Sequence, residues 1–164
     1  MLFRSIYQLG QLRKSYGPEV GKTLKDLVLD RNQPREVRKS AIAYIREVSD
    51  VDVYGLFVDV AMNDPDKEIQ QTAIYYIAQN SKDKGKSVDL LIQLFDKLPA
   101  ERTGALESCL YGIASVGDTK AVDFLIKTAK THANYELRQR AVYYLGNIGG
   151  EKARAALMDI LKSK

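Results

Sequence analysis

Apolar residues recur along this chain at the three- and four-residue spacing of a helix, and one short form of the pattern appears five times. The copies read Ser5-Ile-Tyr-Gln-Leu9, Ala41-Ile-Ala-Tyr-Ile45, Ala73-Ile-Tyr-Tyr-Ile77, Cys109-Leu-Tyr-Gly-Ile113 and Ala141-Val-Tyr-Tyr-Leu145. Their first residues are separated by 36, 32, 36 and 32 positions. A period in this range marks an array in which each unit covers its apolar face with the next. The stripes extend beyond the short motif, as in Val37, Ala41, Ile45 and Val48, or Leu137, Ala141, Leu145 and Ile148. The spacing predicts helices over residues 2–15, 35–49, 67–81, 102–116 and 135–148, which we term B helices.

A second set, the A helices, is predicted between them over 18–30, 52–63, 86–98, 119–131 and 151–163. Their apolar positions also keep helical spacing, for example Val88 with Leu91, Ile92 and Phe95, or Ala153 with Leu157, Ile160 and Leu161. The joints carry turn and cap chemistry. Gly117-Asp118-Thr119 and Gly149-Gly150-Glu151 suit a left-handed stop followed by a new helix. In Asn63-Asp64-Pro65-Asp66, either aspartate can cap the helix that follows. The expected organisation is one domain over 1–164: a B helix at 1–16, A–B pairs at 17–50, 51–83, 84–117 and 118–149, and a final A helix at 150–164. That last stripe lacks a following B helix. The expectation is that the chain is a segment of a longer protein, with end-to-end self-association through uncapped terminal helices as the alternative.

The residues Leu137-Arg138-Gln-Arg-Ala141-Val-Tyr-Tyr-Leu145-Gly146-Asn-Ile148-Gly149-Gly-Glu-Lys-Ala153 resemble a HEAT repeat, closest to the short bacterial type called phycobilisome-lyase HEAT-like. That pattern runs apolar-Arg-x-x-Ala-x-x-x-Leu-Gly-x-apolar-Gly, then an acidic turn. Val37-Arg38-Lys-Ser-Ala41 matches its first half, and Ile69-Gln-Gln-Thr-Ala73 matches with Gln70 in place of Arg. The copy around Cys109 departs most: Leu106 stands where Arg is expected, Cys109 replaces Ala, and Gly112 is expected to interrupt the helix. The resemblance implies an all-α, right-handed α-solenoid of stacked antiparallel helix pairs that binds proteins or peptides. The residues themselves form no credible catalytic constellation, so neither catalysis nor a cofactor is expected. The matching residues are structural to the repeat, so none carries lyase chemistry.

On such a solenoid the B helices line the concave side. The outward positions fall two before, one before, two after and six after the Ala-type residue. Among those they select are Arg4, Tyr7, Lys39, Gln71, Tyr75, Gln79, Tyr111, Gln139, Arg140, Tyr143 and Asn147, the candidate partner-binding face. Four repeats place Tyr at one equivalent position: Tyr7, Tyr75, Tyr111 and Tyr143. Tyr and Arg are enriched at binding hot spots, which favours recognition of a peptide. The competing reading is that Tyr is this sequence's preferred large residue for packing there. Tyr44, Tyr76 and Tyr144 lie one step further round and are expected to face the seam between repeats, contributing burial alone.

Composition narrows the remaining classes. With 45% hydrophobic and 28% charged residues the chain is that of a folded domain, and four prolines in 164 residues favour helix. No apolar run approaches the ~20 residues of a membrane span. The first residues lack the uninterrupted apolar core of a signal peptide, which leaves a soluble chain of open compartment, cytoplasmic or periplasmic. A single Cys excludes an internal disulfide and a multi-cysteine metal site, and Cys109 is expected to be a small buried residue like its Ala equivalents. His132, the one His, has no second ligand beside it and reads as a turn residue. The glycines follow a helix rather than a strand, so they form no phosphate loop.

Nucleic acid is the competing partner, because binding of that kind rests on clustered Lys and Arg. The net charge is +4, but the predicted concave row holds only Arg4, Lys39 and Arg140, opposed by Glu47 and Glu107. Lys82, Lys84, Lys86, Lys127 and Lys130 fall in joints or on A helices. That distribution favours a protein or peptide over a phosphate backbone.

Overall fold

The computed structural model describes residues 17–46, 52–79 and 84–162. Nine helices lie among them: α1 Gly17–Leu29, α2 Arg35–Ile45, α3 Val53–Asn63, α4 Lys67–Ala78, α5 Lys84–Lys97, α6 Thr103–Val116, α7 Thr119–Thr131, α8 Tyr135–Ile148 and α9 Gly150–Lys162. The described residues contain no strand, and the class is all-α. The odd-numbered helices take the predicted A positions and the even-numbered ones the B positions. The helix expected over 2–15, with Arg4 and Tyr7, lies outside the described residues, as do Glu47 and Val48.

Capping explains most of the boundaries. Asp52, Asp118 and Asn134 accept backbone N–H bonds from Gly55 at 3.0 Å, Ala121 at 2.8 Å and Glu136 at 2.8 Å, starting α3, α7 and α8. Asp66 does the same for α4, accepting from Glu68 N–H at 2.9 Å. Gly117 ends α6 with φ 65° and ψ 18°, a left-handed geometry that a Cβ would strain. The stop expected at Gly112 does not occur, since α6 runs from Thr103 to Val116 without a break. A Cβ there would stand 3.0 Å from Leu91 Cδ1 and 3.1 Å from Ala78 Cβ. Glycine is set by close approach of neighbouring helices, and packing overrides its weak helix propensity.

The chain divides into two compact units between Tyr76 and Ile77. In the first, α1 packs on α2, and Phe57 of α3 meets Tyr76 of α4 with ring centroids 6.4 Å apart. In the second, α5 packs on α6, α7 on α8 and α8 on α9. Same-type helices stack there as well, α6 on α8, α5 on α7 and α7 on α9. This is the helix-pair stacking of a solenoid. Ala41 with Ile45, Ala73 with Ile77, Cys109 with Ile113 and Ala141 with Leu145 are all fully buried, so the repeated motif forms the core of each pair. The small first residue takes up little room in the core, while the branched fifth residue supplies apolar area worth ~25 cal/mol per Å² removed from water. In α9 Ala153 and Ala156 are buried and Leu157 and Ile160 partly covered, whereas Met158 and Leu161 are exposed.

The arginine of the repeated pattern has a physical task at the A–B joint. Arg38, at the start of α2, donates to the carbonyl oxygen of Val28 near the end of α1, Nε at 2.9 Å and Nη2 at 2.7 Å. Its guanidinium also pairs with the buried carboxylate of Asp64, the residue that closes α3. One side chain therefore satisfies an orphan carbonyl of its own A helix and ties that joint to the next. Gln70, standing where Arg is expected, donates instead to the carbonyl of Asp64. Arg138 donates to the carbonyls of His132 at 2.7 Å and Ala133 at 2.9 Å. Leu106, the apolar exception, is simply buried.

Candidate binding face on the B helices

A side chain two positions after the buried small residue lies about 200° round an α-helix, on the side away from the core. Tyr75, Tyr111 and Tyr143 occupy that position, and they are 45%, 50% and 60% exposed. Each ring thus keeps a large part of its surface in water. Each helix presents the tyrosine beside other outward polar groups, and each unit forms its own cleft.

In the first unit Lys39, Gln71 and Tyr75 come together with Glu68 and Thr72 around a cleft of about 250 Å³. Lys39 Nζ lies 3.5 Å from Glu36 and 3.7 Å from Glu68, so its charge is shared with two carboxylates. Tyr75 meets Tyr76 edge to face at 5.1 Å, and Arg46 lies over the Tyr76 ring at 5.2 Å.

In the second unit Tyr111 of α6 and Tyr143 and Asn147 of α8 line a groove of about 560 Å³. Tyr144 lines it too. Its ring is 5.6 Å from Tyr143 and 6.3 Å from Tyr111, and burial pushes its phenol above the ordinary value. The expectation that Tyr144 contributes burial alone is corrected: it is half-buried, and its remaining surface forms part of the groove. Helical position placed it at the seam, but part of its ring stays open to the groove between α6 and α8. Ser115, Ala114, Gly117 and Ile148 complete the lining. Ser115 Oγ already donates to the carbonyl of Gly112 at 2.7 Å.

The other predicted face residues stand apart from these two clusters. Gln79 is exposed just past the end of α4. Gln139 donates to the Tyr135 hydroxyl at 2.9 Å. Arg140 sits 3.7 Å from Glu107, the acidic neighbour expected to oppose it. Burial raises the pKa of the Cys109 thiol, which holds it in its neutral form. The imidazole of His132 packs 5.4 Å from the Phe95 ring, and its Nδ1 accepts from Asn134 N–H at 3.1 Å. Among the described residues no three His, Cys, Asp or Glu side chains converge to hold a metal ion, and no helix is long and apolar enough to cross a membrane. The arrangement offers aromatic faces, amide and hydroxyl groups, and charges that are already partnered.

Residues 107–164 match the family of HEAT repeats. The match takes in most of α6 and all of α7, α8 and α9, so the tyrosine groove is built on HEAT-like helices. HEAT repeats commonly serve as protein-interaction scaffolds. No curated protein matches the chain.

Proposed function

We propose that the chain is a non-catalytic scaffold that binds a protein or peptide through the outward face of its B helices. The observation that carries the reading is the groove between α6 and α8, where exposed Tyr111 and Tyr143 flank Tyr144 beside Asn147. Neighbouring aromatic side chains left at the surface at repeat-equivalent positions form a patch that a partner can cover, and such residues dominate binding energy when one does. Lys39, Gln71 and Tyr75 extend the candidate face in the first unit. In this reading the B helices form the concave side of a right-handed solenoid. The phycobilisome-lyase HEAT-like subtype and a bacterial source rest on the repeat pattern alone. Self-association through α9 rests on exposed Met158 and Leu161.

The test is affinity capture with the full chain, followed by titration of the captured partner against two variants. One carries Tyr75→Ala, Tyr111→Ala and Tyr143→Ala, and the other Lys39→Ala and Arg140→Ala. The tyrosine variant is expected to lose ~2 kcal/mol or more per hot-spot site while remaining helical. If the basic variant loses more, and binding falls steeply with salt, the partner is nucleic acid and the proposal is wrong.

A further inference from the structure

We infer that the groove between α6 and α8 takes a proline-rich peptide in the extended polyproline II form, lying across the B helices. The inference rests on the reading of this face as a peptide-binding surface and specifies its ligand. Three observations carry it.

The first is charge. Tyr111, Tyr143, Tyr144, Ser115 and Asn147 line the groove, with no carboxylate or cation among the lining residues. The nearest charges on the same two helices, Arg140 and Glu107, face each other at 3.7 Å. A cationic side chain would find no free counter-charge here, and neither would a phosphate. The ligand whose recognition needs no charge is favoured.

The second is spacing. Tyr111 and Tyr143 hold equivalent positions on α6 and α8, which pack directly on each other. Packed helices lie ~8–10 Å apart. A polyproline II strand advances ~9 Å in its three-residue turn. A strand crossing two helices at that general spacing brings residues three apart over Tyr111 and Tyr143.

The third is hydrogen bonding. Polyproline II has no internal hydrogen bonds, so its carbonyls need donors when it leaves water. Tyrosine hydroxyls and the Asn147 amide are donors, whereas the Ser115 hydroxyl is spent on Gly112. Proline rings lie flat on aromatic faces, and the preformed strand loses little entropy on docking. An amphipathic helix would instead need a continuous apolar trough. In this groove Tyr144 fills the middle and Asn147 interrupts one wall.

The experiment is fluorescence anisotropy with the full chain. The probes are labelled oligoproline, an uncharged peptide with proline at every third position, an amphipathic helical peptide, a trimethyl-lysine peptide and a glycine–serine peptide. Saturable binding is expected for the first two, with little change between low and high salt. Tyr143→Ala and Asn147→Ala, each checked for helicity, should weaken it by about tenfold or more, and Tyr143→Phe by less. Binding of the proline probes that survives Tyr143→Ala overturns the inference. Preference for the helical or trimethyl-lysine probe, lost in Tyr143→Ala, overturns it while leaving the peptide-binding face intact. Failure of every probe to bind overturns the inference, and the scaffold reading then stands or falls on the capture experiment.

Discussion

Replacing Arg38 by Ala should destabilise the protein more than any surface change. Arg38 is 4% exposed and Asp64 5%. Its guanidinium makes two bonds to the Val28 carbonyl and a two-pronged contact with the Asp64 carboxylate. Truncation leaves a buried carboxylate whose one remaining partner at Oδ1 is the Asp66 N–H at 2.9 Å. It also removes the side-chain donors from the Val28 carbonyl. Breaking a buried ion pair by removing one partner costs ~3–5 kcal/mol. A domain of this size has ~5–15 kcal/mol in all. The loss should therefore appear as a large drop in the urea midpoint, followed by far-UV circular dichroism because the chain has no Trp. Asp64→Asn alone should cost less, since its amide oxygen can still accept from Asp66. Adding Arg38→Met to Asp64→Asn should cost less than the sum of the single changes, with a coupling of ~1–3 kcal/mol. If Arg38→Ala costs under about 1 kcal/mol, or the cycle shows no coupling, the pair behaves as a solvated surface bridge and the joint is held by packing alone.

Cys109→Ala should leave the urea midpoint nearly unchanged, while a thiol reagent should label native Cys109 only as fast as the protein opens, because the thiol is fully buried and held neutral. Gly112→Val should destabilise by ~1–3 kcal/mol through overpacking against Leu91 and Ala78, and an unchanged denaturation midpoint would contradict the close approach. Asp118→Ala should cost ~1 kcal/mol by removing the α7 cap, read in the same assay. Burial works to raise the pKa of Asp66, but bonds from Arg35 and from the N–H groups of Glu68 and Ile69 outweigh it and hold the carboxyl low. A depressed folded pKa gives stability that is present above the unfolded value and lost as pH falls through the folded one. Urea midpoints should therefore drop on acidification below the ordinary aspartate value of 3.8, and Asp66→Asn should flatten that part of the profile.

The helical period was legible because each pair buries one stripe, and burial at fixed spacing is what a single chain records most plainly. Ala41, Ala73, Cys109 and Ala141 are all fully buried, and the tyrosines two positions on are exposed where described, as the 100° step per residue requires. Contacts between helices were less legible. The pattern marks Arg38 as a repeat residue, but its task depends on Val28 and Asp64, which lie 10 and 26 positions away. Gly112 reads as a helix breaker until Leu91 and Ala78 are seen against it. Tyr144 reads as seam filler because helical position gives the direction of its side chain but not how much of the ring the neighbouring helix covers.

Charge placement decides between the two partner classes more sharply than net charge does. On the A helices of the second unit, Lys120 pairs with Asp89, Lys130 with Asp159 and Lys152 with Asp123. Each pair joins one A helix to the next. Exposed pairs of this kind are worth only ~0–1 kcal/mol apiece, so their value lies in fixing the register between repeats. On the B helices Lys39 and Arg140 likewise face carboxylates. A phosphate backbone gains affinity by releasing counterions from clustered, unpaired cations. Here the cations of the candidate face, Lys39 and Arg140, are matched locally to Glu, while the groove of the second unit is lined by uncharged tyrosine, serine and asparagine. The surface best suited to a ligand is therefore one that rewards shape, aromatic contact and hydrogen bonding, and its affinity should depend only weakly on salt.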